Sequence, residues 1–176
     1  MPATQVITES LIRENMHRAI ADVLITMLGR SCEITTAATQ GTLLASQIRG
    51  TDEASSPQVV GTVGFIGDIN GLIYLYFPLR FAEICTGQLL GLDAGEIALA
   101  SDEVVNDAVG ELTNMSVGSF KNKLCDAGYP CMLTIPSILR GANFCVEPIS
   151  SAQRYIYSFD SNGHRIVADI LVKSVD

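Results

Sequence analysis

The pattern of apolar and polar positions predicts two long helices. Apolar residues recur at helical spacing from about Thr8 to Leu28, and Gly29 follows where helices commonly end. The second and longest helix is predicted from about Ser101 to Ala127. Gly128 is expected to end this helix, and Pro130 prevents it from starting again.

Strand-like segments follow each long helix. The first group comprises about 31–36, Gln58 to Ile66 and Leu72 to Phe77, and the last two flank a turn signal, Gly67 to Gly71. The second group comprises about 131–135, 142–148, 153–160 and 164–173, of which the last two bracket Ser161-Asn162-Gly163. Both turn signals predict hairpins.

The remaining segments are shorter. Leu79 to Leu90 is predicted to be a short helix, and Gly91 to Gly95 a loop. The polar stretch at about 37–57 is interpreted as a surface loop or a mobile edge.

The order of elements predicts the fold class. A long helix followed by strands occurs twice, which suggests two similar halves. Strands joined by hairpins favour an antiparallel sheet, so the class is α+β, with the two long helices packed on one face. The 176 residues are expected to form a single domain.

Composition excludes some partners and compartments. The formal net charge of −8 argues against nucleic acid, whose phosphates need clustered Lys and Arg. The first fifteen residues do not resemble a signal peptide, and no apolar run approaches the ~20 residues of a membrane span. We therefore expect a soluble, cytoplasmic protein with no membrane partner. Five cysteines without a C-x-x-C pair predict neither a disulfide framework nor a metal site.

The helix predicted at 101–127 has two distinct faces at 100° per residue. Its expected core face contains Val105, Ala108, Leu112, Met115 and Ser119. The opposite face contains Glu103, Asp107, Glu111, Asn114, Gly118 and Lys121, of which the last five step by 4, 3, 4 and 3 and so form one ridge.

Two interpretations of this ridge remain open. Most charged helix faces are simply solvated. However, Asn114 is a mediocre helix former in mid-helix, and Gly118 costs about 0.5–1 kcal/mol relative to Ala. A missing side chain at Gly118 would let another molecule approach the helix closely.

The spacing Asp107-x-x-x-Glu111-x-x-Asn114 resembles the signature of the CheC, CheX and FliY phosphatases. The surrounding run GELTNMSVGSFKNKL, and TIPSILRG with Pro136, are similar to CheX as well. The resemblance covers the chain from about Met16 to Lys173. CheC and FliY carry a second E-x-x-N on the first helix, which this chain lacks, so one site per chain resembles CheX. Another local match, Glu103 with Asn106, has no preceding acid and is interpreted as a coincidence.

The resemblance implies hydrolysis of the aspartyl phosphate of a CheY-like receiver domain, a chemotaxis response regulator. Asn114 would orient the attacking water, and Glu111 would pair with a lysine of the receiver. Asp107, Gly118 and Lys121 would contact this partner. The chain would bind no cofactor, because the receiver supplies Mg²⁺, and it would form a homodimer through its sheet.

Two other hypotheses remain open. The ridge could bind a receiver, or join a flagellar-switch or sensory assembly, without hydrolysis, and phosphate release would separate these cases. The chain could also be a structural protein whose exposed strand edge pairs with a second copy. A mutation on the ridge would test that alternative.

Overall fold

The computed structural model describes residues 7–39, 56–144, 146–147 and 151–174. In these residues the helices are α1 (Glu9–Leu28), α2 (Leu79–Leu90), α3 (Ala94–Leu99) and α4 (Asp102–Asp126). The strands are β1 (Glu33–Thr39), β2 (Gln58–Gly67), β3 (Ile69–Pro78), β4 (Cys131–Leu133), β5 (Ser137–Gly141), β6 (Gln153–Ser161) and β7 (His164–Ser174).

Local chemistry explains where the two long helices begin and end. The Thr8 hydroxyl caps α1 by accepting a hydrogen bond from the Leu11 amide at 3.3 Å. Gly29 then ends α1 in the left-handed conformation, with φ of 64°. Gly128, with φ of 94°, turns the chain after α4, and its amide donates to the Cys125 carbonyl at 3.0 Å. The predicted bounds of both helices are therefore confirmed to within one residue or so.

The strands form one antiparallel sheet in the order β1-β6-β7-β3-β2-β4, and β5 also pairs with β2. The order is symmetric: if β1, β2 and β3 are exchanged with β4, β6 and β7, the same order is obtained from the opposite edge of the sheet. In each half, the first strand pairs with the middle strand of the other half: β1 with β6, and β4 and β5 with β2. The strand order therefore matches the expected pair of similar halves, and the α+β class is confirmed.

The main core lies between the helices and one face of the sheet. Alternate residues of each central strand point towards the helices, as the two-residue period of a strand requires. Those of β2 include Val59, Val63 and Phe65, and those of β6 are Tyr155, Tyr157 and Phe159. They pack against the buried sides of α1, α2 and α4.

Two sequence predictions for the irregular parts of the chain are wrong. Residues 142–148 are predicted to form a strand, but the described residues among them, 142–144 and 146–147, lie outside any strand, and the strand is β5, at Ser137–Gly141. The sheet pairing ends at Gly141, and Asn143, two residues later, takes a positive φ of 57°, which an extended strand does not have. The loop predicted at Gly91 to Gly95 is shorter, since Asp93 and Glu96 form a capping box that starts α3 at Ala94.

Two further predictions need adjustment. The first strand begins at Glu33 and continues to Thr39, into the stretch predicted to be a loop, while residues 40–55 of that stretch lie outside the described residues. On α4, Met115 and Ser119 are only half-buried. The buried side is rotated towards Val109, Thr113, Ser116, Val117 and Phe120, because α4 packs against both the sheet and the neighbouring helices.

The sheet face that points away from the helices holds a buried ion pair. Arg154 on β6 donates from Nε and Nη2 to the two carboxylate oxygens of Asp169 on β7, at 2.8 and 2.6 Å. Asp169 is fully buried, and burial raises its pKa while the hydrogen bond and charge of Arg154 oppose that rise. Arg154 also donates to the Val146 carbonyl at 2.7 Å, so the pair anchors the segment that follows β5.

Removing one partner of this pair should destabilise the fold more than removing both. We expect Asp169→Leu to lower the free energy of unfolding by about 3–5 kcal/mol, because it leaves a buried guanidinium without its counter-charge. The double variant Arg154→Met/Asp169→Leu should recover much of that loss. Urea denaturation of the wild type and the two variants measures both values. A double variant no more stable than the single one would contradict this account.

Candidate functional site

The ridge predicted from the sequence lies on the outer side of α4. Asp107, Glu111 and Asn114 are exposed, whereas Gly118 and Lys121 are half-buried. The opposite side of the helix is buried in the core through Ala108, Leu112, Thr113, Val117 and Phe120. The helix is therefore fixed on one side and accessible on the other.

Glu111 and Asn114 lie side by side on this ridge. Residues three apart on a helix have Cβ atoms about 5–6 Å from each other. Within the described part of the chain, neither side chain forms a hydrogen bond or an ion pair. The carboxylate and the amide are thus both available to another molecule. Next to them, a Cβ added to Gly118 would meet nothing within 4 Å, so the surface is open there.

Arg140 on β5 holds the amino-terminal part of α4. Its Nε donates to Asn106 Oδ1 at 3.1 Å, and its Nη2 donates to the carbonyl of Asp102 at 3.2 Å. Its Nη1 also forms an ion pair with the Asp102 carboxylate at 3.2 Å. Asn106, the residue of the second E-x-x-N match, therefore serves as an anchor, consistent with its interpretation as a coincidence.

β5 lies beside α4. Ile138 lies against Gly110, where an added Cβ would be 3.7 Å from its Cδ1, and Arg140 reaches Asn106. β5 therefore passes antiparallel to α4.

Charge changes sign along α4. Asp102, Glu103, Asp107 and Glu111 make its first half acidic, and Lys121 and Lys123 make its end basic, the arrangement that the helix dipole favours. Lys123 forms an ion pair with Asp22 of α1 at 3.8 Å, while Lys121 donates to its neighbour Asn122 at 3.3 Å. Along the ridge itself, the carboxylates of Asp107 and Glu111 are followed by the single ammonium group of Lys121.

A metal site, a reactive thiol and a membrane-spanning helix receive no support from the described residues. Among them, no cluster of three or more His, Cys, Asp and Glu is arranged to hold a metal ion. Cys32, Cys85, Cys125 and Cys131 are free thiols, and Cys145 lies outside the described residues. Burial raises the pKa of Cys32 and of Cys85 to about 12, so both remain protonated. None of the described helices combines the length and the hydropathy of a membrane span.

Comparison with known proteins places the chain in a family. Residues 59–160, more than half of the chain and including the whole ridge, match the family model of the chemotaxis phosphatase CheX. The chain belongs to the CheX family. Comparison with curated protein sequences gives no match.

Solved structures show the same fold. A CheC-like superfamily protein from a Shewanella species superposes with a TM-score of 0.77 at 24% identity, covering 95% of this chain and 100% of that one. The chemotaxis protein CheX of Desulfovibrio desulfuricans gives 0.73 at 22% identity, over 92% and 99%. A CheX–CheY–BeF3–Mg complex from Borrelia burgdorferi gives 0.65 at 19% identity, over 93% and 98%.

The ridge is recognisable from the sequence of its own helix, but the residues that support it are not. Arg140 lies 34 positions from Asn106, and Gly61 of β2 is even further from Thr113, which it contacts. Periodicity within a helix carries no information about such partners. The one signal for Arg140 was its place in TIPSILRG, which was used only as a family likeness.

The open surface at Gly118 can be tested by filling it. We expect Gly118→Ala to raise the free energy of unfolding by about 0.5–1 kcal/mol, because alanine favours a helix and meets no clash here. Gly118→Phe should leave the protein folded but weaken the binding of any partner that approaches α4 here at least about tenfold, which corresponds to about 1.4 kcal/mol of lost contact.

Gly110→Ala is the matched control for this experiment. Gly110 lies on the same helix, and an added Cβ would make only an ordinary contact with Ile138. This variant should bind such a partner as the wild type does, when affinity is measured by isothermal titration calorimetry. If Gly118→Phe bound equally well, the partner would not approach α4 at that point.

Proposed function

We propose that this chain hydrolyses the aspartyl phosphate of a CheY-like receiver domain by means of Glu111 and Asn114. The observation that carries the proposal is that a carboxylate and an amide stand together, exposed and unpaired, on a helix buried along its other side. Membership of the CheX family supports the reaction. The Borrelia CheX structure, which contains CheY, supports the partner.

Asn114 would provide the chemistry. An aspartyl phosphate is a mixed anhydride and already labile, so the catalyst mainly has to hold water in line with the leaving carboxylate. An amide can donate and accept hydrogen bonds without adding charge to a site crowded with phosphoryl oxygens. The exposed amide of Asn114 would enter the receiver's pocket and orient that water.

Glu111 would set the position of the two proteins. Its carboxylate would pair with the lysine of the receiver's phosphorylation site, which fixes the register in which Asn114 enters. Asp107, one turn earlier, would extend the acidic surface, and Lys121 would contact the receiver at the basic end. The Mg²⁺ in this reaction would be held by the receiver, and the chain itself would bind no cofactor.

Resemblance to the CheX family also suggests an oligomeric state and a cellular location. We propose that residues 1–176 act as one domain, that two copies form a homodimer through their sheets, and that the protein works in the cytoplasm on a chemotaxis regulator. Sedimentation of the purified chain would measure the dimer independently of its activity.

The role of Asn114 can be measured directly. We expect Asn114→Ala to reduce the accelerated release of phosphate from a phosphorylated receiver by about 100-fold or more, because water is no longer oriented. Binding should be largely retained. Gln88→Ala is the control, since Gln88 is an exposed amide side chain on α2. Unchanged acceleration by Asn114→Ala would remove Asn114 from the mechanism. A wild type that binds the receiver without accelerating hydrolysis would favour the non-catalytic module.

The role of Glu111 concerns binding. We expect Glu111→Lys to raise the Kd for the receiver by at least about tenfold, because two cations would then face each other. Glu14→Lys makes the same charge change at an exposed position of α1 and should leave Kd unaltered. Fluorescence anisotropy with a labelled receiver compares the three proteins. Equal affinity in all of them would show that the docking pair is wrong.

A further inference from the structure

A notch in the sheet lies directly beneath the ridge. The residues of β2 that face the helices are Val59, Gly61, Val63 and Phe65, so one position in this apolar row lacks a side chain. Thr113 of α4 fills the gap and is completely buried. The residue that follows it is Asn114.

The fit between Gly61 and Thr113 leaves no room for another atom. A Cβ built on Gly61 would overlap the Thr113 hydroxyl and lie 2.7 Å from both its Cβ and its Cγ2, whereas real Cβ contacts are essentially never under 3.0 Å. Within the described residues the Thr113 hydroxyl has no hydrogen-bond partner. Steric packing against Gly61 therefore holds Thr113 in place, because its hydroxyl makes no hydrogen bond there.

Neighbouring side chains close the notch on both sides. Gly61 pairs across the sheet with Leu75 of β3 and with Ile138 of β5. Leu75 is buried in the core, and Ile138 packs against the core and lies beside Gly110, the residue one turn before Asn114. The helix can therefore neither sink deeper nor shift sideways across the strands without a collision, and Val59 and Val63 flank the gap along β2 itself.

We propose that Gly61 is a positioning residue for the reaction. Its missing side chain sets the distance between α4 and the sheet, and this distance determines how far the Asn114 side chain projects from the surface of the protein. This inference rests on the proposed function. Asn114 would be more sensitive to that depth than Glu111, because its amide is on a shorter side chain and must meet a small target. An ion pair tolerates more displacement.

The size of the effect follows from the geometry. In Gly61→Ala, Thr113 would have to retreat from 2.7 Å to the 3.4 Å or more of an ordinary contact. Misplacement of a reacting group by about 1 Å can cost about 100-fold in rate. We therefore expect the kcat for phosphate release to fall by about 10- to 100-fold, while KM for the phosphorylated receiver changes by less than about threefold.

Two further variants separate positioning from general damage. Gly64→Ala alters the same strand, but its Cβ would meet Thr134, 3.1 Å away, and not α4. It should keep the wild-type kcat. Gly61→Ala/Thr113→Gly moves the side chain from the helix to the strand and should restore kcat towards the wild-type value. If Gly61→Ala does not fold, Gly61→Ala/Thr113→Ala repeats the test with a smaller displacement.

The outcomes distinguish this inference from the proposed function. All variants are assayed at a temperature at which circular dichroism shows them to be folded. Gly61→Ala with the wild-type kcat, or a loss that Thr113→Gly does not restore, would overturn the positioning role. Inactivity of the wild type would instead overturn the proposed function. In that case, the contact between Gly61 and Thr113 can still be tested by unfolding. If the midpoint shifts of the single variants at 61 and 113 do not add up to the shift of the double variant, the contact is supported, and if they do add up, it is refuted.

Discussion

The packing of α4 on β2 is the constraint on which the rest of the structure depends. One side of this helix must be apolar enough to remain on the sheet, and the other must keep polar groups in water. The two requirements together fix the rotation of the helix about its axis. Because Leu112 and Thr113 are buried, Glu111 and Asn114 are necessarily directed outwards. The same residues that stabilise the fold therefore determine what the surface presents.

A helix fixed in this way suits chemistry that needs few groups in accurate positions. Sites built on regular elements hold their side chains more accurately than loops do. Here α4 is anchored near its start by Arg140 and near its end by the buried side chains of Phe120 and Leu124. A partner that brings its own phosphoryl group and metal ion would require only a rigid support for two side chains.

Much of this arrangement could be predicted from sequence, because it depends on neighbours along the chain. Helical periodicity located α1 and α4, the Asn-Gly turn located the hairpin between β6 and β7, and the steps of three and four located the ridge. The position of β5 and the contacts of Gly61 could not be found in this way. They depend on pairing between segments distant in sequence, which leaves no local pattern, and a short capping box concealed α3 within a predicted loop.

The exchange of first strands between the halves has a consequence for how the chain folds. Glu33 at the start of β1 pairs with Asp160 near the end of β6, so the outermost strand can be added only after most of the polypeptide exists. Contacts between such distant segments slow folding, because a long loop must close before they form. A lone half would expose two unpaired strand edges. During synthesis on the ribosome, β1 therefore cannot join the sheet until β6 has been synthesised.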